Sequence, residues 1–279
     1  MPNISRPVGV VVPNTEPGAE DAVRTFPRHA EELGYQSLWV TDHLLGVRGM
    51  APVHGPYWLD PLTCLAHMAA TTSSARLGVG VLVVPYRNPV LTAKMLTTID
   101  LLSGGRLDVG IGTGWSRAEY RALGVRDHFD ARGRVTDEAL EVMAKCWRGG
   151  QVEHNGEFFA FRHVTVEPVH EPRPPLWIGG QSGPALRRAA RLADMWHPHD
   201  IGPQEVREIG ARLDEMAGRK VPRSVRIHLG ADDIPGLADR VDAFVDAGCS
   251  HVVIEFRSVP VEVTAAYAEK AAEVLFGQG

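Results

Sequence analysis

The residues whose types and spacing could carry chemistry stand in short clusters, each at the end of a β-branched run. Thr41-Asp42-His43 closes one such run. Its imidazole can hydrogen-bond a ligand or exchange a proton near neutral pH, although a loop-packing histidine reads the same way. Gly110-Ile111-Gly112-Thr113-Gly114-Trp115 closes another. Alternate glycines leave no side chain between the backbone and a flat ligand, or mark a plain glycine-rich turn. Glycines inside Gly78-Val79-Gly80-Val81-Leu82-Val83-Val84-Pro85 point to a bulge, a close approach or a crowded interior. In Ile178-Gly179-Gly180-Gln181-Ser182-Gly183-Pro184 a strand enters two glycines and a helix leaves with proline in its first turn. Backbone amides at such a helix start, with the Ser182 hydroxyl, form an anion site; an ordinary serine-capped turn is the bland alternative. His197-Pro198-His199 could present two imidazoles to one ion. Pro198 interrupts the strand, however, and His43 and His228 are the only further histidines at hand, so no metal is assigned.

Positioning these clusters at one place requires a repeating scaffold, and the hydrophobic pattern supplies it. Strands over Val8–Val12, Ser37–Thr41, Leu77–Val84, Leu107–Ile111, Leu176–Ile178, Met195–His197, Val225–Leu229 and His251–Phe256 alternate with helices. The helices are Ala19–Leu33, Pro61–Thr71, Pro89–Leu102, Thr136–Trp147, Ala185–Leu192, Gln204–Met216, Leu237–Ala247 and Val263–Leu275. Pro27 is expected to kink the first helix. Around residues 149–175 the alternation pauses, and Asn155-Gly156 predicts a hairpin turn between Gln151–His154 and Glu157–Phe161. Eight β–α units predict an α/β fold, a (β/α)8 TIM barrel over residues 1–279 as one domain, with a hairpin-containing insertion. A doubly wound open sheet would place a glycine-rich loop after the first strand, where Val12-Pro13-Asn14 stands. In such a barrel, residues after each strand meet on one open face.

Composition excludes several classes. The 279 residues are 44% hydrophobic and 23% charged, with net charge −5. No basic patch predicts nucleic acid or an anionic membrane as partner. Cys64, Cys146 and Cys249 are far apart in sequence, the usage of a reducing compartment. Met1–Pro7 lacks a signal-sequence pattern and no apolar run is long enough to span a bilayer. A cytoplasmic homodimer acting on a small molecule is the expectation.

Five of these segments in this order resemble the bacterial luciferase-like monooxygenase family, in particular its branch using the deazaflavin coenzyme F420. They are Thr41-Asp42-His43, Gly80–Pro89, Asp108–Trp115, Pro172–Gly180 and Ala193–Pro198, and the likeness runs from about residue 8 to residue 256. The resemblance implies a tricyclic cofactor across the barrel mouth. By it, Asp42 and His43 would lie by the ring, with His43 as acid or base. Gly80, Val81 and Leu82 would back the ring on a bulged non-prolyl cis peptide. Gly112, Thr113, Gly114 and Trp115 would line its edge, and Gly179, Gly180, Gln181 and Ser182 would hold its phosphate. Trp115, Trp196 and His197 would face the substrate. In the branch's sugar-phosphate dehydrogenases a tryptophan follows the Asp-His pair, where this chain has Leu44-Leu45-Gly46-Val47, and a glutamate occupies the place of Trp115. Both departures imply a more apolar pocket and leave His43 with no obvious second acid–base group.

The expected activity is hydride transfer between F420 and a small, partly apolar organic substrate. FMN-dependent monooxygenation on the same fold, a barrel metallohydrolase built on His197 and His199, and a flavin-binding protein without turnover are its rivals.

Overall fold

A computed structural model describes residues 6–46, 55–257 and 259–277. Val47 and the first five residues, on which part of the sequence analysis fell, lie outside these. Eight parallel strands close a barrel in the order β1-β10-β9-β8-β7-β4-β3-β2. These are β1 (Val8–Val11), β2 (Ser37–Val40), β3 (Arg76–Val83), β4 (Leu107–Gly112), β7 (Leu176–Gly179), β8 (Met195–His197), β9 (Arg223–Leu229) and β10 (Cys249–Phe256). The remaining pair, β5 (Gly150–Asn155) and β6 (Ala160–Val166), forms a separate antiparallel hairpin. The helices are α1 (Ala19–Glu32), α2 (Pro61–Thr71), α3 (Pro89–Ser103), α4 (Arg117–Ala122), α5 (Arg132–Arg148), α6 (Gly183–Leu192), α7 (Pro203–Ala217), α8 (Leu237–Asp246) and α9 (Thr264–Phe276).

The predicted barrel is therefore present, with element ends displaced by a few residues. Pro27 is accommodated inside α1, on its buried face. Two differences are physical. The hairpin turn is not Asn155-Gly156: Asn155 pairs with Ala160, leaving a four-residue loop. Glu138 of α5 accepts the amides of Glu157, Phe158 and Phe159, and this anchor outweighs the local turn preference. Helix α4 was not expected at all.

Strand alternation divides the barrel into two cores. Side chains such as Val10, Leu38, Val79, Ile111, Ile178 and Trp196 pack outward into the apolar layer beneath the helices. Inside the barrel, Val11, Trp39, Trp177 and Val253 form a second cluster. His197 stacks on Trp39 there, ring centroids 5.2 Å apart.

The ladder between β3 and β4 slips after Val79, where the Gly80-Val81 peptide is cis as expected. The Val81 side chain then lies over β4 and β7. A Cβ on Gly112 would meet Val81 Cγ2 at 2.3 Å, and one on Gly110 would meet the Val79 carbonyl oxygen at 2.1 Å. These two glycines of β4 thus clear space for the bulged neighbour strand, and not first for a flat ligand. Gly112→Ala should destabilise the fold by about 1–3 kcal/mol through overpacking. Combined with Val81→Ala, the two losses should fall well short of additive. Denaturant midpoints of the four proteins test this, and simple additivity would refute the packing account.

Candidate active site

At the C-terminal mouth the end of β2 presents His43, half-buried between aromatic rings. Trp58 lies 4.8 Å and Trp115 5.5 Å from its ring, centroid to centroid. His43 Nδ1 is 2.7 Å from Glu119 Oε2, and the Glu119 side chain has 0% exposure. Burial acts to raise this carboxyl, but hydrogen bonds from His43 and the Leu44 and Leu45 amides outweigh it and hold it below the ordinary range. Sequence reasoning missed Glu119 and expected no second acid–base group. Its signal was Ser116-Arg117-Ala118-Glu119, the pattern of a capping box. Ser116 does cap α4, accepting from the Glu119 amide. The Glu119 carboxylate instead reaches back to the loop after β2.

Asp42, expected beside the cofactor, is turned the other way. It is buried and accepts from the Val83 amide at 2.7 Å and from both terminal nitrogens of Arg87, at 2.6 and 2.9 Å. It ties the end of β2 to the end of β3 and offers no atom to a ligand. Leu82 is likewise packed in the helix-facing core, because alternation turns it outward where Val81 turns inward. Trp115 is 57% exposed, a large ring left open at the mouth. The Thr113 carbonyl accepts from the Tyr120 hydroxyl, and Gly114 adopts a positive φ of 68°.

The loop from β7 to α6 is the one where sequence reasoning expected an anion cradle. Ser182 caps α6 with its hydroxyl oxygen. Among the described residues no backbone carbonyl receives the Gln181, Ser182 or Gly183 amides. Gly180 has φ 92°, so a side chain there is strained whatever the loop binds. Trp196 corrects another expectation. It has no exposed surface and packs under the helices, so it lines no substrate pocket. Its indole nitrogen donates to the Gly180 carbonyl at 3.0 Å, which fixes the loop from behind. Gln181 donates its side-chain amide to the His199 carbonyl at 2.7 Å. Strand β8 and the residues after it thus clamp the cradle twice.

His197 faces the barrel interior at 3% exposure, with Nδ1 2.8 Å from the Ser224 hydroxyl. Burial, with the nearby Arg226 charge, pushes its pKa down to about 3, so it is a neutral floor residue. Its Nε2 has no hydrogen-bond partner among the described residues. His199 is exposed next to Asp200, and no group of described residues could hold a metal ion. Two further mouth residues, Arg226 and Glu255, escaped the sequence analysis because they lie within strands, and His228, weighed there only as a metal ligand, joins them. Arg226 of β9 donates to the Gly80 carbonyl and, at 2.9 Å, to Glu255 of β10. His228 bridges Glu255 and Asp200. Burial would raise Glu255, but the Arg226 charge and the His228 hydrogen bond hold it at about 2.

The mouth therefore joins an imidazole–carboxylate pair, an open aromatic ring and an amide cradle, an arrangement able to seat a flat anionic cofactor and exchange a proton beside it. The chain has relatives among known proteins. An uncharacterised Mycobacterium tuberculosis protein is 31% identical over 245 residues, 82% of each chain. A pyrimidine monooxygenase of Bradyrhizobium is 32% identical over 172 residues, 60% of this chain and 47% of that protein. An FMNH(2)-dependent dimethylsulfone monooxygenase of Pseudomonas fluorescens is 27% identical over 238 residues, 83% of this chain and 62% of that one. Among solved structures, an F420-dependent secondary alcohol dehydrogenase bound to an F420–acetone adduct superposes with TM-score 0.80 at 16% identity, covering 98% of this chain and 99% of that one. The FMN-bound oxygenating constituent of 3,6-diketocamphane monooxygenase from Pseudomonas putida gives 0.75 at 14%, covering 99% and 98%. These structural likenesses establish the fold. The model of the luciferase-like monooxygenase family matches residues 7–254, nearly the whole barrel and all of the mouth residues described above except Glu255, and this redox enzyme belongs to that family.

Proposed function

We infer that this enzyme transfers a hydride between coenzyme F420 and a small organic substrate, with His43 exchanging the accompanying proton. The observation that carries this reading is His43 at the mouth, seated between Trp58 and Trp115 and fixed on buried Glu119. The residues present fit such a cofactor. Trp115 leaves an open aromatic surface, and the Gln181–Gly183 amides are unclaimed by backbone carbonyls. Gly179–Ser182 would hold its phosphate, while Gly112–Trp115 and the Gly80-Val81 segment would border its ring. When bound, a deazaflavin or flavin supplies the two-electron hydride donor or acceptor. The chain's own residues orient it, wall the reacting face with aromatic side chains and hold the exchanged proton on His43. The order of the five motifs supports F420.

A second reading, monooxygenation with reduced FMN and oxygen, is favoured by the names of relatives at 27–32% identity. A cytoplasmic homodimer remains part of the proposal. The three cysteines are free and buried, in keeping with a reducing compartment. Among the described residues, no helix is long and apolar enough to cross a membrane.

Parallel titrations should show F420 binding appreciably tighter than FMN. Stoichiometric co-purification of FMN that F420 does not displace would instead establish the second reading, as would oxygen consumption during turnover. Removing the clamp behind the cradle should matter only for phosphate-bearing ligands. Trp196→Phe should weaken FMN by about tenfold, the scale of one hydrogen bond, and leave riboflavin unchanged. Equal effects on both ligands would move the phosphate away from this loop. His43→Ala should lower turnover by about 10²–10⁴-fold while cofactor affinity stays within a few-fold. Near-normal turnover in the folded variant, with a substrate found by screening, would remove His43 from the mechanism.

A further inference from the structure

The two oxygens of Glu119 have separate tasks. Oε1 accepts the backbone amides of Leu44 at 3.0 Å and Leu45 at 3.3 Å. Oε2 faces His43 Nδ1 at 2.7 Å and accepts from the Tyr86 hydroxyl at 3.1 Å. An ionised carboxylate can only accept, so the proton between Oε2 and Nδ1 belongs to the imidazole. We propose that Glu119 is a positioning residue that holds His43 in its Nδ1–H tautomer, making Nε2 the basic ring atom for the proton exchanged at the mouth. This rests on the proton-exchanging role assigned to His43 above, but its test needs neither cofactor nor substrate.

Glu119→Gln discriminates because its effect has a direction. The Leu44 and Leu45 amides require an oxygen at the Oε1 position, so the carboxamide nitrogen takes the place of Oε2. That group donates to Nδ1 and drives the ring proton to Nε2. Replacing an orienting carboxylate by its amide selects the wrong tautomer by the same logic in a serine-protease triad.

The experiment is nitrogen NMR on full-length protein labelled with ¹⁵N-histidine, at alkaline pH where imidazoles are neutral. His43→Gln assigns the His43 signals by their disappearance. The wild type should show Nδ1 protonated and Nε2 unprotonated, and Glu119→Gln should show the reverse. A wild type dominated by the Nε2–H tautomer, or a folded Glu119→Gln protein that keeps Nδ1–H, overturns the proposal. Should Glu119→Gln fail to fold, the wild-type spectrum decides alone. With a substrate found by screening, Glu119→Gln should also lose about 100-fold or more in turnover. Near-normal turnover in His43→Ala would sink the catalytic role of His43 itself, whichever tautomer the spectra record.

Discussion

A carboxylate with no exposed surface must have its oxygens answered by donors, or its desolvation goes uncompensated. Glu119 is such a group, and four donors from two other stretches of chain converge on it. The loop after β2 supplies the Leu44 and Leu45 amides and the His43 ring, and the turn after β3 supplies the Tyr86 hydroxyl. Helix α4 exists to deliver the carboxylate, and its Ser116 cap fixes where the helix begins. Much of one side of the mouth is therefore determined by the need to satisfy one charge. Breaking the arrangement would strand that charge in the interior, which costs more than any single hydrogen bond within it returns.

The other side of the mouth is set by shape. Val81 projects from the slipped ladder of β3 into space that side chains on Gly110, Gly112 and Gly179 would fill. Arg226 crosses from β9 to hold the Gly80 carbonyl, and Glu255 neutralises it. Below this level the barrel is closed by Trp39, Trp177 and a neutral His197. These three rings are uncharged; Arg226 and Glu255 lie above them at the mouth, and the Arg76–Asp108 pair lies at the opposite end of the barrel.

The scaffold was legible in the sequence because eight amphipathic repeats carry the same physical signal eight times. That His43 and the β7–α6 loop would meet at one mouth was legible because strand ends of a parallel barrel converge. What failed was the direction of individual side chains. Asp42 and His43 are adjacent, yet Asp42 points to Arg87 and His43 to Glu119. Trp196 and His197 are adjacent on β8, and only His197 faces inward. A one-residue difference in facing reverses a role, and loops just beyond a strand need not keep its alternation. Glu119 was hidden for another reason: its partner is 76 residues away in sequence, and the local capping-box pattern around it points to the helix end, not to His43. Similarly, Asn155-Gly156 favoured a tight turn, and a tertiary anchor, Glu138, selected a wider one.

Because β4 pairs directly with β7, the β5–β6 hairpin contributes nothing to closure of the barrel ladder. It leaves through Gly149 and Gly150 and hangs on the outer surface of α5. Chain length in this stretch can drift between descendants of one ancestor without shifting the register of any barrel strand. The fold thereby contains a graft point for an epitope, a tether or a small foreign module, provided the tip keeps its three amides on Glu138 and Phe158 and Phe159 against His128, which itself reaches the Pro85 carbonyl beside Tyr86.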